Sequence, residues 1–300
     1  MKIAVLMSTF NGEKYIEEQI ESILAQRGDF QLDLWVRDDG SQDKTQEILE
    51  KYSKQGKLFW YTGEKLYAAH SFIDLLLKCK GYDYYAFADQ DDYWMSEKIQ
   101  IGVNSLLNIE NSYPALYFAN AELVGCNLEF LGRVVYKSIP KTDFKTMCCA
   151  GGYLGCTMVF NSSLAKLIQK KPMPGKIIMH DFYLAEVCAG FHGKIVFDKK
   201  VCMKYRQHSD NVVGVKKGSI QKLIHEIYTK ESVSIADQAE SILNGYSDML
   251  PNDSIQWFEK IKDYKKSFKT RMSLAVTKCT KYMNCYASFR LRLQILFGNR

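Results

Sequence analysis

The chain has 300 residues, 47% hydrophobic and 25% charged, with five prolines and a net charge of +6. That is the composition of a folded globular protein with a sizeable core, and it excludes a disordered or low-complexity chain. No stretch approaches the ~18 consecutive apolar residues of a membrane-spanning helix. The nine cysteines contain no C-x-x-C pair, which argues against structural zinc or a disulfide framework and for a reducing cytosol.

In chain order, residues 2–8 predict a buried first strand followed by the turn Thr9-Phe10-Asn11-Gly12. Its apolar run Ile3-Ala4-Val5-Leu6-Met7 is too short for a signal-peptide core. Tyr15, Ile16, Ile20, Ile23 and Leu24 have helical spacing, and Glu13, Glu17 and Glu18 crowd the first turns as a helix dipole favours. Residues 32–36 form a second strand that ends in Arg37-Asp38-Asp39-Gly40-Ser41. Ile48 and Leu49 then belong to a helix capped by Ser41 or Asp43. A third strand is expected over 58–61, a third helix over 72–77 and a fourth strand over 84–88. Strands alternating with helices at this spacing predict a parallel, doubly wound sheet.

Past Trp94 the pattern changes. A helix over 99–107 and a strand over 115–118 precede an irregular stretch to about residue 140. Gly151-Gly152-Tyr153-Leu154-Gly155 is a glycine-rich turn before the apolar Thr157-Met158-Val159-Phe160, suited to close backbone approach or to an ordinary tight turn. A helix starting near His180-Asp181 leads to a strand over 194–197. The chain beyond Gly218 reads as wholly helical, with a soft boundary near Val215. Charge is unevenly placed. From Phe258 to Arg300 eleven Lys or Arg oppose two acids, a local +9 that leaves the remainder at −3. A basic tail on an acidic body points to an anionic partner for the tail.

The chemistry gathers at strand ends. Asp38-Asp39 follow the second strand and Asp89-Asp91-Asp92 the fourth, so both clusters open on the edge where α/β sheets hold ligands. Like charges this close need a cation or strong donors, and a divalent ion holding a diphosphate supplies one. A lone acidic turn capping the next helix is the blander reading. There is no G-x-G-x-x-G after the first strand, which argues against a dinucleotide cofactor, and no G-x-x-x-x-G-K-[ST], which excludes a P-loop. A haloacid-dehalogenase-type phosphatase fits poorly, because its aspartate nucleophile follows the first strand rather than the fourth.

Three early motifs, Ser8-Thr9-Phe10-Asn11-Gly12-Glu13, Arg37-Asp38-Asp39-Gly40-Ser41-Gln42-Asp43 and Asp89-Gln90-Asp91-Asp92-Tyr93-Trp94, resemble family-2 glycosyltransferases of the GT-A fold. So do Gly155-Cys156-Thr157-Met158, Met179-His180-Asp181-Phe182-Tyr183-Leu184-Ala185, and Tyr205-Arg206-Gln207-His208 with Asn211-Val212-Val213-Gly214. The combination is similar to bacterial rhamnosyltransferases of cell-wall and capsular polysaccharides, including streptococcal rhamnan enzymes. The resemblance implies a mostly parallel central sheet with helices on both faces. It also implies a GT-A domain over 1–215, its donor half 1–110 and acceptor half 111–215, and a helical, basic extension over 216–300.

The resemblance further implies roles. Asp89, Asp91 and His208 would bind a divalent cation, Mg²⁺ or Mn²⁺. Thr9, Phe10, Glu13, Asp38 and Asp39, with Asp89 and Asp91, would hold the nucleotide-sugar donor. Asp181 would be the base of an inverting transfer, and Asp92, Trp94, Gly155 and His180 would face the acceptor. Each has a plainer alternative: a helix cap for Asp181 or Asp92, a core side chain for Trp94, a surface histidine for His208. The expected donor is dTDP-rhamnose, with a UDP-hexose or a non-enzymatic scaffold as alternatives, and the expected acceptor is a glycan on a lipid diphosphate. Departures from the family pattern lie at Lys65-Leu66-Tyr67, at Ser71-Phe72 and at Phe10, which lacks the usual tyrosine hydroxyl. In the tail, Phe289, Leu293, Leu296 and Phe297 share a helical face near Arg290 and Arg292, as in a basic helix on a membrane surface. No nucleic-acid motif is present. The expected location is the cytoplasm, peripheral on the inner face of the cell membrane.

Overall fold

A computed structural model describes residues 1–110, 112–208, 233–281 and 285–300. The motif Asn211-Val212-Val213-Gly214, the boundary near Val215 and Gly218 lie outside the described residues. The chain divides into two compact units. One comprises Met1–Lys137, Leu154–Met173 and Lys194–Gly214, the other Ser138–Tyr153, Pro174–Gly193 and Val215–Arg300.

The first unit is built on the apolar strands. Strands β1 (Lys2–Thr9), β2 (Gln31–Asp38), β3 (Phe59–Thr62) and β4 (Tyr84–Ala88) pair in parallel in the order β3-β2-β1-β4. Their side chains alternate between two layers. Ile3, Val5 and Met7 pack in one cluster with Ile16, Ile20 and Ile23 of α1 (Ile16–Leu24), Leu49 and Tyr52 of α2 (Thr45–Lys54), and Ile99 and Val103 of α4 (Lys98–Leu106). Phe87, on the opposite face, meets Phe72 of α3 (Tyr67–Lys78) at 5.2 Å between ring centroids. Each fully buried Ile or Phe stabilises the fold by roughly 1.5–3 kcal/mol, which is why continuous apolar runs locate these strands so well.

The second half of the sheet is mixed. β4 turns through Asp89–Asp92 into β5 (Tyr93–Trp94), which pairs with β9 (Lys194–Arg206) at the far end of the order β4-β8-β6-β9-β5. Here β8 (Val159–Asn161) runs antiparallel to both β4 and β6 (Ala115–Val124), and β7 (Phe130–Val134) hangs on β6. Both β6 and β9 run past the expected ends at 118 and 197, with register shifts between Ala119 and Glu122. A bulge admits the polar Asn120 and Asp198 into paired strands, which hides their length from a hydrophobicity pattern. The strand register does the functional work: Thr9 is paired with Asp38 and Met7 with Ala88, so β1, β2 and β4 end on one edge.

The second unit is helical among the described residues. It holds α5 (Phe144–Ala150), α7 (His180–Gly190), α8 (Ile235–Tyr246), α9 (Asn252–Lys262), α10 (Phe268–Ala275) and α11 (Cys285–Phe297), with α6 (Ser162–Gln169) belonging to the first unit. Ser234 and Asp237 form a capping box on α8, and Ser267 and Thr270 one on α10. Buried Glu186 accepts a hydrogen bond from Gln238 at 2.9 Å, and burial pushes its carboxyl well above the usual range. Arg300 donates to the Cys149 carbonyl at 3.0 Å, fastening the last residues to α5.

Candidate active site

The edge where β1, β2 and β4 end is braced by side chains before any ligand is considered. Asp38 is buried, and its carboxylate accepts from the Gly40 and Ser41 amides at 3.1 and 2.9 Å, from the Ser41 hydroxyl at 2.5 Å and from Gln46 at 2.8 Å. Asp39 is ion-paired with Arg37 and accepts the Leu66 amide at 3.0 Å, holding the loop after β3. Glu13 lies before α1 rather than in its first turn. Its carboxylate accepts the Lys44 amide at 2.9 Å, while its own amide donates to Asp43 at 3.0 Å. Asn11, in the left-handed region at φ 49°, completes this zipper by accepting the Gln42 amide at 2.9 Å.

Gln90 joins that zipper to the carboxylate loop. Its Oε1 accepts the Thr9 hydroxyl at 2.5 Å and the Phe10 amide at 2.9 Å, and its Nε2 donates to the Phe10 carbonyl at 3.2 Å. A Cβ at Gly12 would come within 2.5 Å of Gln90 Oε1, so a larger residue there would displace the Gln90 side chain from this network. Three of the departures from the family pattern form one cluster: the Lys65 ammonium sits 3.7 Å above the Phe10 ring and 5.3 Å from the Tyr67 ring. A phenyl ring without a hydroxyl offers its face to the cation, so the replacements compensate one another.

The carboxylates themselves divide. Asp91 Oδ2 stands 2.7 Å from His208 Nε2, and both side chains are largely buried with a little exposure left. Asp89 remains partly exposed at the strand end. Asp92 is different. It is 0% exposed, its Oδ1 accepts the Arg206 amide at 3.0 Å, and burial, then the charges of Asp91 and Asp89, hold its carboxyl well above the usual range. Donor atoms of Asp89, Asp92 and the Cys156 thiol lie within 4.8 Å of one another.

Two acceptor-facing expectations meet this burial. Asp92 and Trp94, at 0% and 1% exposure, present no surface to a sugar. Trp94 faces inward because its amide is held by the Ser22 hydroxyl at 3.1 Å and the buried Lys98 ammonium lies 3.5 Å above its ring. Burial lowers the Lys98 ammonium to about 8. Gly155 is buried and opens a 3-10 turn, Gly155–Thr157. In the second unit, His180 is also buried, and burial lowers its imidazole to about 3, so it is neutral near neutrality. Asp181, next to it in the first turn of α7, is partly exposed, and its Oδ1 accepts the Phe182 amide at 2.6 Å.

Arg206 was quoted within a motif, yet its role is visible only in three dimensions. Its guanidinium donates to the Asp91 carbonyl at 2.7 Å, to the Cys126 carbonyl and to Glu18, and lies 4.4 Å over the Tyr15 ring. Tyr15 in turn leans on His208, with ring centroids 5.1 Å apart. One buried cation thus orders both ends of the Asp91–His208 pair. Gln90, Tyr15, Glu18 and Cys156 are further members of the site that residue type alone did not single out. Tyr15 and Glu18 lay concealed in the amphipathic pattern of α1.

Known proteins are similar to this chain in sequence and in fold. Residues 4–161 match the family described as Glycosyl transferase family 2. A dTDP-rhamnosyl transferase, RfbG of Shigella flexneri, is 31% identical over 224 residues, covering 69% of this chain and 73% of its own. S. aureus TarS 1–349 in complex with UDP-GlcNAc superimposes with a TM-score of 0.56 at 16% identity, over 100% of this chain and 90% of that one. A mannosyltransferase from Pyrobaculum calidifontis in complex with GDP-Man and Mn²⁺ does so with a TM-score of 0.54 at 12% identity, over 96% and 72%. With a GT-A sheet, its acidic edge and these relatives in hand, the chain belongs to glycosyl transferase family 2 and is a glycosyltransferase.

Proposed function

We propose that the protein transfers rhamnose, with inversion, from dTDP-rhamnose to a lipid-linked glycan of a surface polysaccharide, using a divalent cation. The observation that carries this reading is the contact of Asp91 with His208 at the ligand-holding edge, joined to likeness to a dTDP-rhamnosyl transferase. The expected ligands, the carboxylates of Asp89 and Asp91 and the His208 imidazole, are chemically suited to Mg²⁺ or Mn²⁺; of these Asp91 and His208 are in contact, while Asp89 groups with Asp92 and Cys156. When bound there, the cation would neutralise charge developing on the leaving diphosphate.

The chain's own residues supply the rest. The loop braced by Thr9, Phe10, Glu13, Asp38 and Asp39 would hold the nucleotide, mainly through its shape, because the Asp38 carboxylate is already engaged within the turn. Asp181 would take the proton from the acceptor hydroxyl as its oxygen attacks the anomeric carbon from the face opposite the diphosphate. Buried His180, uncharged near neutrality, would add no charge of its own beside that base. The catalytic domain would span 1–215, with 216–300 as a basic helical extension resting on the inner face of the cell membrane.

A UDP-hexose is the second reading, kept open by the departures from the family pattern at Lys65, Phe10 and Tyr67, which cluster together. Thermal-shift measurement with dTDP-rhamnose, UDP-glucose and UDP-galactose, each with and without Mn²⁺, separates the two, since a ligand of the native state raises the melting temperature. A Mn²⁺-dependent rise with dTDP-rhamnose alone supports the first reading, and a rise confined to a UDP-sugar replaces it.

A further inference from the structure

The second unit carries large apolar side chains facing water on helices whose inward faces are already satisfied. On α10 and just past its end, Phe268, Met272 and Val276 recur every fourth residue and are 63%, 38% and 68% exposed, while Leu274 and Ala275 are buried. On α11 the same division holds: Leu291 and Ile295 are buried, and Tyr286, Phe289 and Phe297 are exposed. The two helices pack against each other, and a Cβ at Gly298 would stand 3.4 Å from the Arg271 guanidinium. Scattered exposed apolar residues are ordinary, but a strip over successive turns marks an interaction face.

Charge selects the partner. From Tyr264 to Arg300 the chain has nine Lys or Arg and no Asp or Glu. Lys266 is offset by Asp263 at 2.9 Å, but Lys269, Lys278 and Lys281 make no ion pair with a described residue. An anionic polymer would be recognised by the cations alone. An anionic bilayer uses both features, headgroups for the ammonium groups and hydrocarbon for the phenylalanines.

We propose that the Phe268–Met272–Val276 strip seats the protein on an anionic lipid bilayer by shallow insertion, with the exposed Phe289 and Phe297 of the neighbouring α11 as further apolar side chains of the same unit. This rests on the reading of the C-terminal helices as membrane-facing and adds the face and the mode, insertion rather than charge alone. The test is flotation of the full chain with phosphatidylglycerol-containing vesicles and with pure phosphatidylcholine vesicles. Two triple variants accompany it, Phe268→Ser/Met272→Ser/Val276→Ser and Lys269→Glu/Lys278→Glu/Lys281→Glu, each checked for native circular dichroism. Wild type should float with the anionic vesicles and keep part of that binding at about 0.5 M salt, where exposed charges are screened within a few ångströms. The serine variant should lose binding by about tenfold or more and lose the salt-resistant part altogether.

If the serine variant floats like wild type while the glutamate variant does not, the helices bind by charge and the insertion face is refuted. If wild type fails to float with anionic vesicles, the membrane reading itself falls. If the serine substitutions instead abolish a dimer seen by sedimentation velocity, with flotation unchanged, the strip is a contact between two copies and the proposal is overturned.

Discussion

Asp91 and His208, 117 residues apart in sequence, bring a carboxylate oxygen and an imidazole nitrogen to 2.7 Å. In the proposed reading the two would serve one divalent cation, the carboxylate as a hard donor and the imidazole as a softer one, and neither would hold the ion firmly alone. Asp91→Asn keeps the shape of the side chain and removes its charge, so Mn²⁺-dependent dTDP binding should disappear. His208→Ala should weaken it by about 10- to 100-fold. Titration calorimetry of dTDP with Mn²⁺ and with chelator, on wild type and both variants, checks this, and wild-type Mn²⁺ dependence retained by both variants would remove the pair from metal binding.

Arg206 is expected to act through that pair. Its amide holds Asp92, its guanidinium holds the Asp91 backbone, and its plane packs on Tyr15 beneath His208. Lysine keeps the charge but not the planar fork, so Arg206→Lys should stay folded, lower kcat by about tenfold and raise the Mn²⁺ concentration for half-maximal activity. Glu18→Gln should change stability by less than about 1 kcal/mol, because Glu18 is 46% exposed and that ion pair is solvent-screened. An Arg206→Lys enzyme with wild-type metal dependence would make the clamp purely structural.

What could be read in advance follows from what is local. β1 and β4 are continuous apolar runs bounded by turns, so their limits and the acidic edge they create are written in consecutive residues. The antiparallel β8 is three residues long and beside a glycine-rich turn, too short to carry a period. Helix α5 contains Cys148-Cys149 and just seven residues, too few to show a helical period in the sequence. At the site, Asp91 and His208 are legible because their chemistry is rare at such positions. Trp94 and Asp92 are not, since an aromatic or an acid beside a motif looks the same whether it faces water or Lys98 and Arg206. Burial is a tertiary property.

For Asp181 the useful variant is the one that keeps its hydrogen bond. The Oδ1 atom accepts the Phe182 amide, one of the donors a helix start leaves unpaired, and an asparagine carbonyl can accept it as well. Asp181→Asn should therefore preserve α7 and donor binding while transfer falls by ~10² or more. Asp181→Ala should lose the same activity and, in addition, about 1 kcal/mol of stability. Wild-type turnover in the asparagine variant, measured by release of dTDP, would assign the base elsewhere.

His180 gives a prediction in pH. Burial lowers its imidazole to about 3 from the usual 6.5, so between those values the unfolded chain binds a proton that the folded chain refuses. Stability must then rise with pH through this window. The contribution is complete above 6.5 and is lost progressively as pH falls toward 3. From about pH 7.5 to about pH 5 the expected loss from this residue is about 2 kcal/mol. Urea denaturation of wild type and His180→Asn at both pH values isolates the term, because asparagine cannot take the proton whatever its effect on packing. The variant should lose about 2 kcal/mol less than wild type between the two conditions. Parallel losses in the two proteins would mean that the imidazole titrates normally and that other groups govern acid sensitivity.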